Sequence, residues 1–291
     1  METILLQDAI ELYMQDLIVR RELPKTTIKT YRNTLCRFEN FVAQRNVLFL
    51  QDVTYLEHAL PYKLSLQEKG LSNCTVRAYI MSVRSLFTFA IHQKWVIDNP
   101  FAQIITKDGV QKKPNVITRQ QLNLVLYQAK NATLYAIYLA GGDAGLRISE
   151  ILDLEISHLD FENNVLYVNK GKGEKQRIIP MRPRLAKELK DYIERDRPKF
   201  PNSPYVFLMP SGRQVRANYV NEDLKCISEK YFGVHLTTHM LRHSFATSCY
   251  RNGASLMVIR QLLGHKHVQT TERYLHVTNQ EVRDAVDDLE D

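Results

Sequence analysis

Several short stretches of this 291-residue chain place cationic side chains where they could act on a phosphate. Gly145-Leu146-Arg147-Ile148-Ser149-Glu150 sets an arginine at a helix start with a glutamate three residues on. Gly171-Lys172-Gly173 projects a lysine from a hairpin loop between two glycines. His239-Met240-Leu241-Arg242-His243 puts His239 and Arg242 at i and i+3, on one helix face. Leu263-Gly264-His265 closes an amphipathic helix carrying Ile259, Leu262 and Leu263, with the glycine as its C-terminal cap. Tyr274 follows nine residues later, in a segment that Thr270 or Thr271 could cap. Guanidinium forks match phosphate oxygens bidentately, and two of them can hold both non-bridging oxygens of a phosphodiester while charge builds there. A hydroxyl nucleophile completes the set. There is no evident carboxylate cluster of the kind a two-metal nuclease needs, so the electrostatic work falls to side chains and no metal or cofactor is expected.

Singly, each stretch has a structural alternative. An Arg–Glu pair on a helix is ordinarily a surface ion pair. A lysine between glycines is ordinarily a turn residue. A given one of 15 tyrosines ordinarily packs in a core or on a surface, and His265 could simply cap a helix. His243 adjoins Arg242 but faces elsewhere, as i+1 positions do, and reads as structural support.

The elements that must position these residues fall into two groups. In the first third, Ile28, Tyr31, Leu35, Phe38 and Val42 follow 3/4 spacing behind Thr26 or Thr27 as a cap. Val76, Tyr79, Ile80, Val83, Leu86 and Phe87 do so behind Ser72. Lys25, Lys29, Arg32, Arg77 and Arg84 lie near these helices, either as a clamp on DNA phosphates or as solvated faces. KDGVQKKPN (107–115) breaks the periodicity with linker chemistry. Domains are therefore expected over 1–107 and 116–291, joined by a linker at 108–115. Thr118-Arg119-Gln120-Gln121 has capping-box spacing, ahead of an apolar stripe of Leu122, Val125 and Leu126. Residues 132–153 read as two helices separated by GGDAG. VLYV (165–168) and RIIP (177–180) read as strands joined by a short loop, and helices follow Pro180. The fold class is mainly α with a small β-sheet in the second domain.

A net charge of +7 and a pI near 9.1 suit a polyanionic partner. Cys36, Cys74, Cys226 and Cys249 form no Cys-x-x-Cys pair, which fits free thiols in a reducing cytoplasm. The opening residues do not read as a signal peptide, and no apolar stretch approaches the roughly 20 residues that span a bilayer.

In order and spacing, AGLRISEIL (144–152), VNKGKGEKQRIIPM (168–181), THMLRHSFAT (238–247) and LLGHKHVQTTERYLHV (262–277) resemble the tyrosine recombinases, the phage integrase family. TTIKTYRNTL (26–35) and TVRAYIMSVRSLFTFA (75–90), with Asp98-Asn99-Pro100, resemble that family's helical, SAM-like core-binding domain, so the likeness covers essentially the whole chain. The resemblance implies site-specific cleavage and rejoining of double-stranded DNA through a 3′-phosphotyrosyl intermediate, in integration, excision or resolution of DNA elements. It implies that Arg147 and Arg242 bind the scissile phosphate and that Tyr274 attacks it. Lys172 would protonate the leaving 5′-oxygen, with Lys170 or Lys175 as the fallback. His239 would act as general acid/base, His265 would hydrogen-bond the phosphate, and Glu150 would orient its neighbours. Gly141-Gly142-Asp143-Ala144 departs from the pattern, since many relatives carry a bulky or hydroxyl residue directly before Gly-Leu-Arg.

The resemblance also implies an inverted-repeat core site and a cyclic homo-tetramer on DNA. In that assembly the acidic helix at 280–291, with Val282, Ala285, Val286 and Leu289 as its stripe, would be donated to a neighbouring protomer. The core-binding helices begin almost at residue 1 without an arm-binding domain, which suggests the simple, Xer-like type. Three rival readings stand beside it: a type IB topoisomerase-like activity with the same site chemistry, a non-catalytic DNA-binding regulator on the same fold, and, more distantly, a metal-dependent nuclease, which would lose cleavage in EDTA.

Overall fold

In the first of two compact units, Met1–Lys112, the helical spacing of apolar residues becomes a packing of four helices around one core. The computed structural model describes residues 3–107, 116–168 and 177–264. Helices α1 (Leu6–Gln15), α2 (Lys25–Ala43), α3 (Leu60–Glu68) and α4 (Asn73–His92) bury one stripe each. Phe38 of α2 lies at the centre, with its ring 5.1 Å from Tyr62 and 5.3 Å from Phe101, both edge-on. Ser72 caps α4 by accepting the Thr75 N–H at 3.2 Å. The expected cap of α2 is corrected: the helix begins at Lys25 behind Pro24, so Thr26 and Thr27 lie in its first turn. Proline has its φ preset and ends the preceding extended segment, which moves the start two residues earlier.

Of the five basic residues considered as a phosphate clamp, Arg84 and Arg32 have defined structural roles. Arg84 donates Nε to the Phe101 carbonyl at 3.0 Å and Nη2 to the Ile104 carbonyl at 2.7 Å, tying the tail of the unit to α4. Arg32 pairs with Glu11 at 2.6 Å. Lys25, Lys29 and Arg77 are exposed.

The second unit, Lys113–Asp291, is built around α6 (Ala132–Ala144), buried on nearly every side. Around it lie α5 (Arg119–Tyr127), α7 (Ile148–Leu152), α8 (Pro183–Asp191), α9 (Ala217–Phe232), α10 (Thr238–Arg251) and α11 (Leu256–Leu263). The Thr118–Gln121 capping box is formed at the start of α5. A three-stranded antiparallel sheet runs β1 (Leu159–Asp160), β2 (Val165–Val168), β3 (Arg177–Pro180), with Val168 opposite Arg177. β1 is an addition to the sequence reading; two residues are too few to show alternation. The expected break at GGDAG is corrected as well. α6 runs through Gly141, Gly142, Asp143 and Ala144 and ends at Gly145. Those glycines serve close packing: a Cβ at Gly142 would come within 2.7 Å of Leu122 of α5, and one at Gly141 within 3.4 Å of Leu241 of α10. The segments 108–115, 169–176 and 265–291, which hold the expected linker, the Lys172 loop and the tail helix, lie outside the described residues. No helix among the described residues is long and apolar enough to cross a membrane.

The contrast between Arg84 and Lys29 is measurable. Arg84→Ala strands two buried carbonyls and should cost about 1–3 kcal/mol. Lys29→Ala should stay within about 0.5 kcal/mol of the parent. Urea unfolding followed by the fluorescence of Trp95, the chain's one tryptophan, half-buried against this unit's core, reports on it directly. Equal effects of the two substitutions would contradict a structural role for Arg84.

Candidate active site

The turn from α6 into α7 is set by Gly145. Its φ of +63° ends α6, and a Cβ there would lie 2.3 Å from the Phe245 ring of α10, so conformation and space both demand glycine. Two residues later Arg147 occupies the N-cap of α7. Its backbone N–H donates to Glu150 Oε2 at 2.8 Å, and its Nη1 donates to Oε1 at 2.7 Å. The carboxylate thus satisfies an unpaired helix-start N–H and orients a side chain at once.

Two further arginines reach the same carboxylate from elsewhere in the unit. Arg177 opens β3 and is buried; its Nη1 and Nη2 grip Oε1 and Oε2 at 2.9 and 2.7 Å. Arg242, on α10 and 1% exposed, donates Nη1 to the Gly145 carbonyl at 2.9 Å and reaches Oε2 at 3.5 Å. The far side of the cluster is the C-terminus of α11, where three successive carbonyls each accept from a different arginine. Leu262 takes Arg177 Nε at 2.9 Å, Leu263 takes Arg242 Nη2 at 2.5 Å, and Gly264 takes Arg147 Nη2 at 3.5 Å. Carbonyls at a helix C-terminus lack intrahelical partners and carry its negative dipole end, so they suit cations. Gly264, at φ +63°, caps α11, and a Cβ there would meet Arg177 Nη1 at 2.9 Å.

Burial pushes the Glu150 carboxyl up, but the hydrogen bond and charge of Arg177, and then the bonds from Arg147, outweigh it and hold the group down at about 2. It is ionised at neutral pH. Three guanidiniums around one carboxylate leave a local charge of +2. Arg147, with its side chain 37% exposed, keeps N–H donors without a partner among the described residues. The arrangement can hold an anion whose negative charge grows during a reaction.

The structure therefore brings Arg147, Glu150 and Arg242 together. His239 lies on α10 one turn before Arg242 and is exposed, with its ring 4.3 Å from that of His243, edge to face. Lys172, His265 and Tyr274, like the fallback Lys170 and Lys175, lie outside the described residues. Arg177 had no role in the sequence reading. Its signal was a charged residue opening the otherwise apolar strand RIIP, in an inward position. Asp143, in the stretch that departs from the family pattern, is buried and ion-paired with Arg119 of α5.

Glu150 makes stability depend on pH in a defined sense. A carboxyl whose folded value is about 2, against an ordinary 4.5, contributes stability that is full above about pH 4.5 and is lost as pH falls toward 2. Glu150→Gln leaves the buried guanidiniums uncompensated and should cost about 3–5 kcal/mol at pH 7. Thermal melts of both proteins between pH 7 and 2 should show the gap closing below about pH 4.5. A constant gap would mean that the carboxylate charge is not what holds the cluster.

Comparison with known proteins agrees with this architecture. Residues 115–281 match the phage integrase family, and residues 10–94 match the phage integrase N-terminal SAM-like domain. The chain is 31% identical to the tyrosine recombinase XerD of Listeria monocytogenes, covering 96% of this chain and 97% of that protein. It is 30% identical to the tyrosine recombinase XerC of Halalkalibacterium halodurans, covering 89% of each. Among solved structures, the Tn1549 transposon integrase, in complex with a circular intermediate DNA, shares the fold with a TM-score of 0.78 at 23% identity, over 97% of this chain and 99% of that one. With a family match spanning well over half its length, this chain belongs to the phage integrase family of tyrosine recombinases.

Proposed function

We propose that this protein recombines double-stranded DNA at a specific inverted-repeat core site, with Tyr274 as nucleophile. The observation that carries the reading is the meeting of Arg147 and Arg242 on one carboxylate, with donors of Arg147 left over, in a chain of this family. The net charge of +7 suits the polyanion. Arg147 and Arg242 hold the scissile phosphate. Tyrosine ionises near pH 10 in water, and the surrounding cations favour the phenolate. The Tyr274 oxygen attacks phosphorus and gives up its proton to His239. The bond from phosphorus to the 5′-oxygen breaks, Lys172 protonates that oxygen, and a 3′-phosphotyrosyl link and a 5′-hydroxyl result. His265 hydrogen-bonds the phosphate. Attack by the 5′-hydroxyl of a second duplex reverses these steps and joins exchanged strands. The link conserves the bond energy, so no nucleotide cofactor is consumed, and no step calls for a metal ion.

Four copies act together on DNA, with residues 280–291 of each docking on a neighbour. Their apolar stripe is too short to persist as an unsupported helix. The compartment is the cytoplasm, where the target is accessible and the four cysteines stay reduced.

Repeats recovered from DNA flanking the gene, built into a nicked suicide duplex and incubated with the protein in EDTA, provide the direct test. A covalent adduct should form and map to Tyr274 by mass spectrometry, while Tyr274→Phe binds the duplex without adduct. An adduct on the Phe variant, or a strict need for magnesium, would refute the mechanism. Deletion of residues 280–291 should spare binding to a single site and impair pairing of two sites in a gel-shift assay. Normal recombination by the truncated chain would refute helix donation.

A further inference from the structure

Arg177 is the member of the arginine cluster to which the mechanism gives no task. It is 7% exposed, and its bonds are spent inside the protein, two on Glu150 and one on the Leu262 carbonyl. It is also wedged: Gly264 leaves no room for a Cβ beside its Nη1 and Cδ. All three nitrogens of its guanidinium are engaged by protein acceptors. Yet it takes the larger share of a carboxylate that Arg147 and Arg242 also need.

Two consequences follow from that sharing. With both oxygens occupied by Arg177, Glu150 gives Arg147 a single side-chain contact, at Oε1, instead of closing a fork on it. A fork is the stronger arrangement, and it would draw the Arg147 donors away from a ligand. Arg177 also cancels the charge of Glu150. The cluster keeps its +2, where Arg147 and Arg242 beside Glu150 alone would leave +1. Attack on a singly charged phosphodiester builds a doubly charged pentacoordinate phosphorus, so this difference falls on the transition state.

We propose that Arg177 is a positioning residue for DNA cleavage: by occupying Glu150 it orients the Arg147 guanidinium toward the scissile phosphate and keeps that guanidinium's charge unneutralised. The proposal rests on the reading that Arg147 holds this phosphate. It concerns the described residues only and assigns Arg177 no contact with DNA.

Single-turnover cleavage of the suicide duplex tests it, using an ordinary scissile phosphate and a methylphosphonate, in which a methyl group replaces one non-bridging oxygen and removes its charge. Arg177→Gln should slow cleavage of the phosphate by about 100-fold, the scale of losing one transition-state donor, with duplex binding unchanged. Arg177→Lys keeps the charge without the fork and should fall between. On the methylphosphonate the Arg177→Gln deficit should shrink at least about tenfold, as should that of Arg147→Ala, because less charge needs balancing. A lesion in folding alone would slow both substrates alike. If Arg147→Ala gains on the methylphosphonate and Arg177→Gln does not, the proposal is overturned while the phosphate-binding reading stands. If neither gains, the reading fails and takes the proposal with it. Adding Glu150→Gln to Arg177→Gln restores the net charge of +2 and removes the carboxylate that would otherwise close on Arg147. That double variant should cleave faster than the single one. A slower double variant would also overturn the proposal.

Discussion

The second unit depends on one carboxylate. Three guanidiniums brought this close repel one another, and each would lose its hydration on burial. Glu150 offsets both effects for all three, and it does so from the first turn of α7, where it also accepts the Arg147 backbone N–H. It cannot satisfy them alone, because two oxygens offer too few acceptor sites for three forks. The remainder comes from the end of α11, whose last carbonyls have no helical partners. The cluster thus sits between a carboxylate and a helix C-terminus, and both are negative. It joins α7, β3, α10 and the end of α11 through polar contacts.

Small residues make this convergence possible. α6 is the hub of the unit, and Gly141 and Gly142 let α10 and α5 approach its backbone. Gly145 then turns the chain sharply enough to aim its carbonyl at Arg242 and to place Arg147 at the start of α7. Gly264 makes the corresponding turn at the end of α11, beside Arg177. At Gly145 and Gly264 a left-handed backbone and an absent Cβ are needed together. Alanine would therefore strain the chain and displace a neighbour at either position.

Much of this was legible in the sequence, and the reasons are local. Ser72 and the Thr118–Gln121 box announce helix starts through contacts within three residues, and Gly264 announces a helix end in the same way. Arg147, Glu150 and Arg242 could be named because their stretches resemble a family pattern. The parts that escaped depend on distant partners. GGDA looks like a break because glycine disfavours helices in isolation, and only the packing of Leu122 and Leu241 explains why the helix continues. Arg84 reads as a surface cation until the Phe101 and Ile104 carbonyls are seen beneath it. Arg177 is 27 residues from Glu150 and 85 from Leu262, and no spacing rule links positions that far apart.

The three arginines also differ in a way that bears on catalysis. Arg242 and Arg177 are buried and bonded to Glu150 and to backbone carbonyls, whereas Arg147 is about one-third exposed and tethered mainly at its Nη1. Burying a guanidinium is costly, and here the cost falls during folding, when Glu150 and the backbone carbonyls take the place of water. Little reorganisation is then left for the moment when a phosphate gains charge, and a fixed field of this kind is worth more in a site shielded from solvent than mobile cations would be. Lysines could not build it. An ammonium presents no planar fork, so it could not grip Glu150 and a helix-end carbonyl in fixed register. The division between two buried guanidiniums and one partly exposed thus follows from geometry that only arginine offers, and it leaves at the surface the side chain to which the proposed mechanism gives the phosphate.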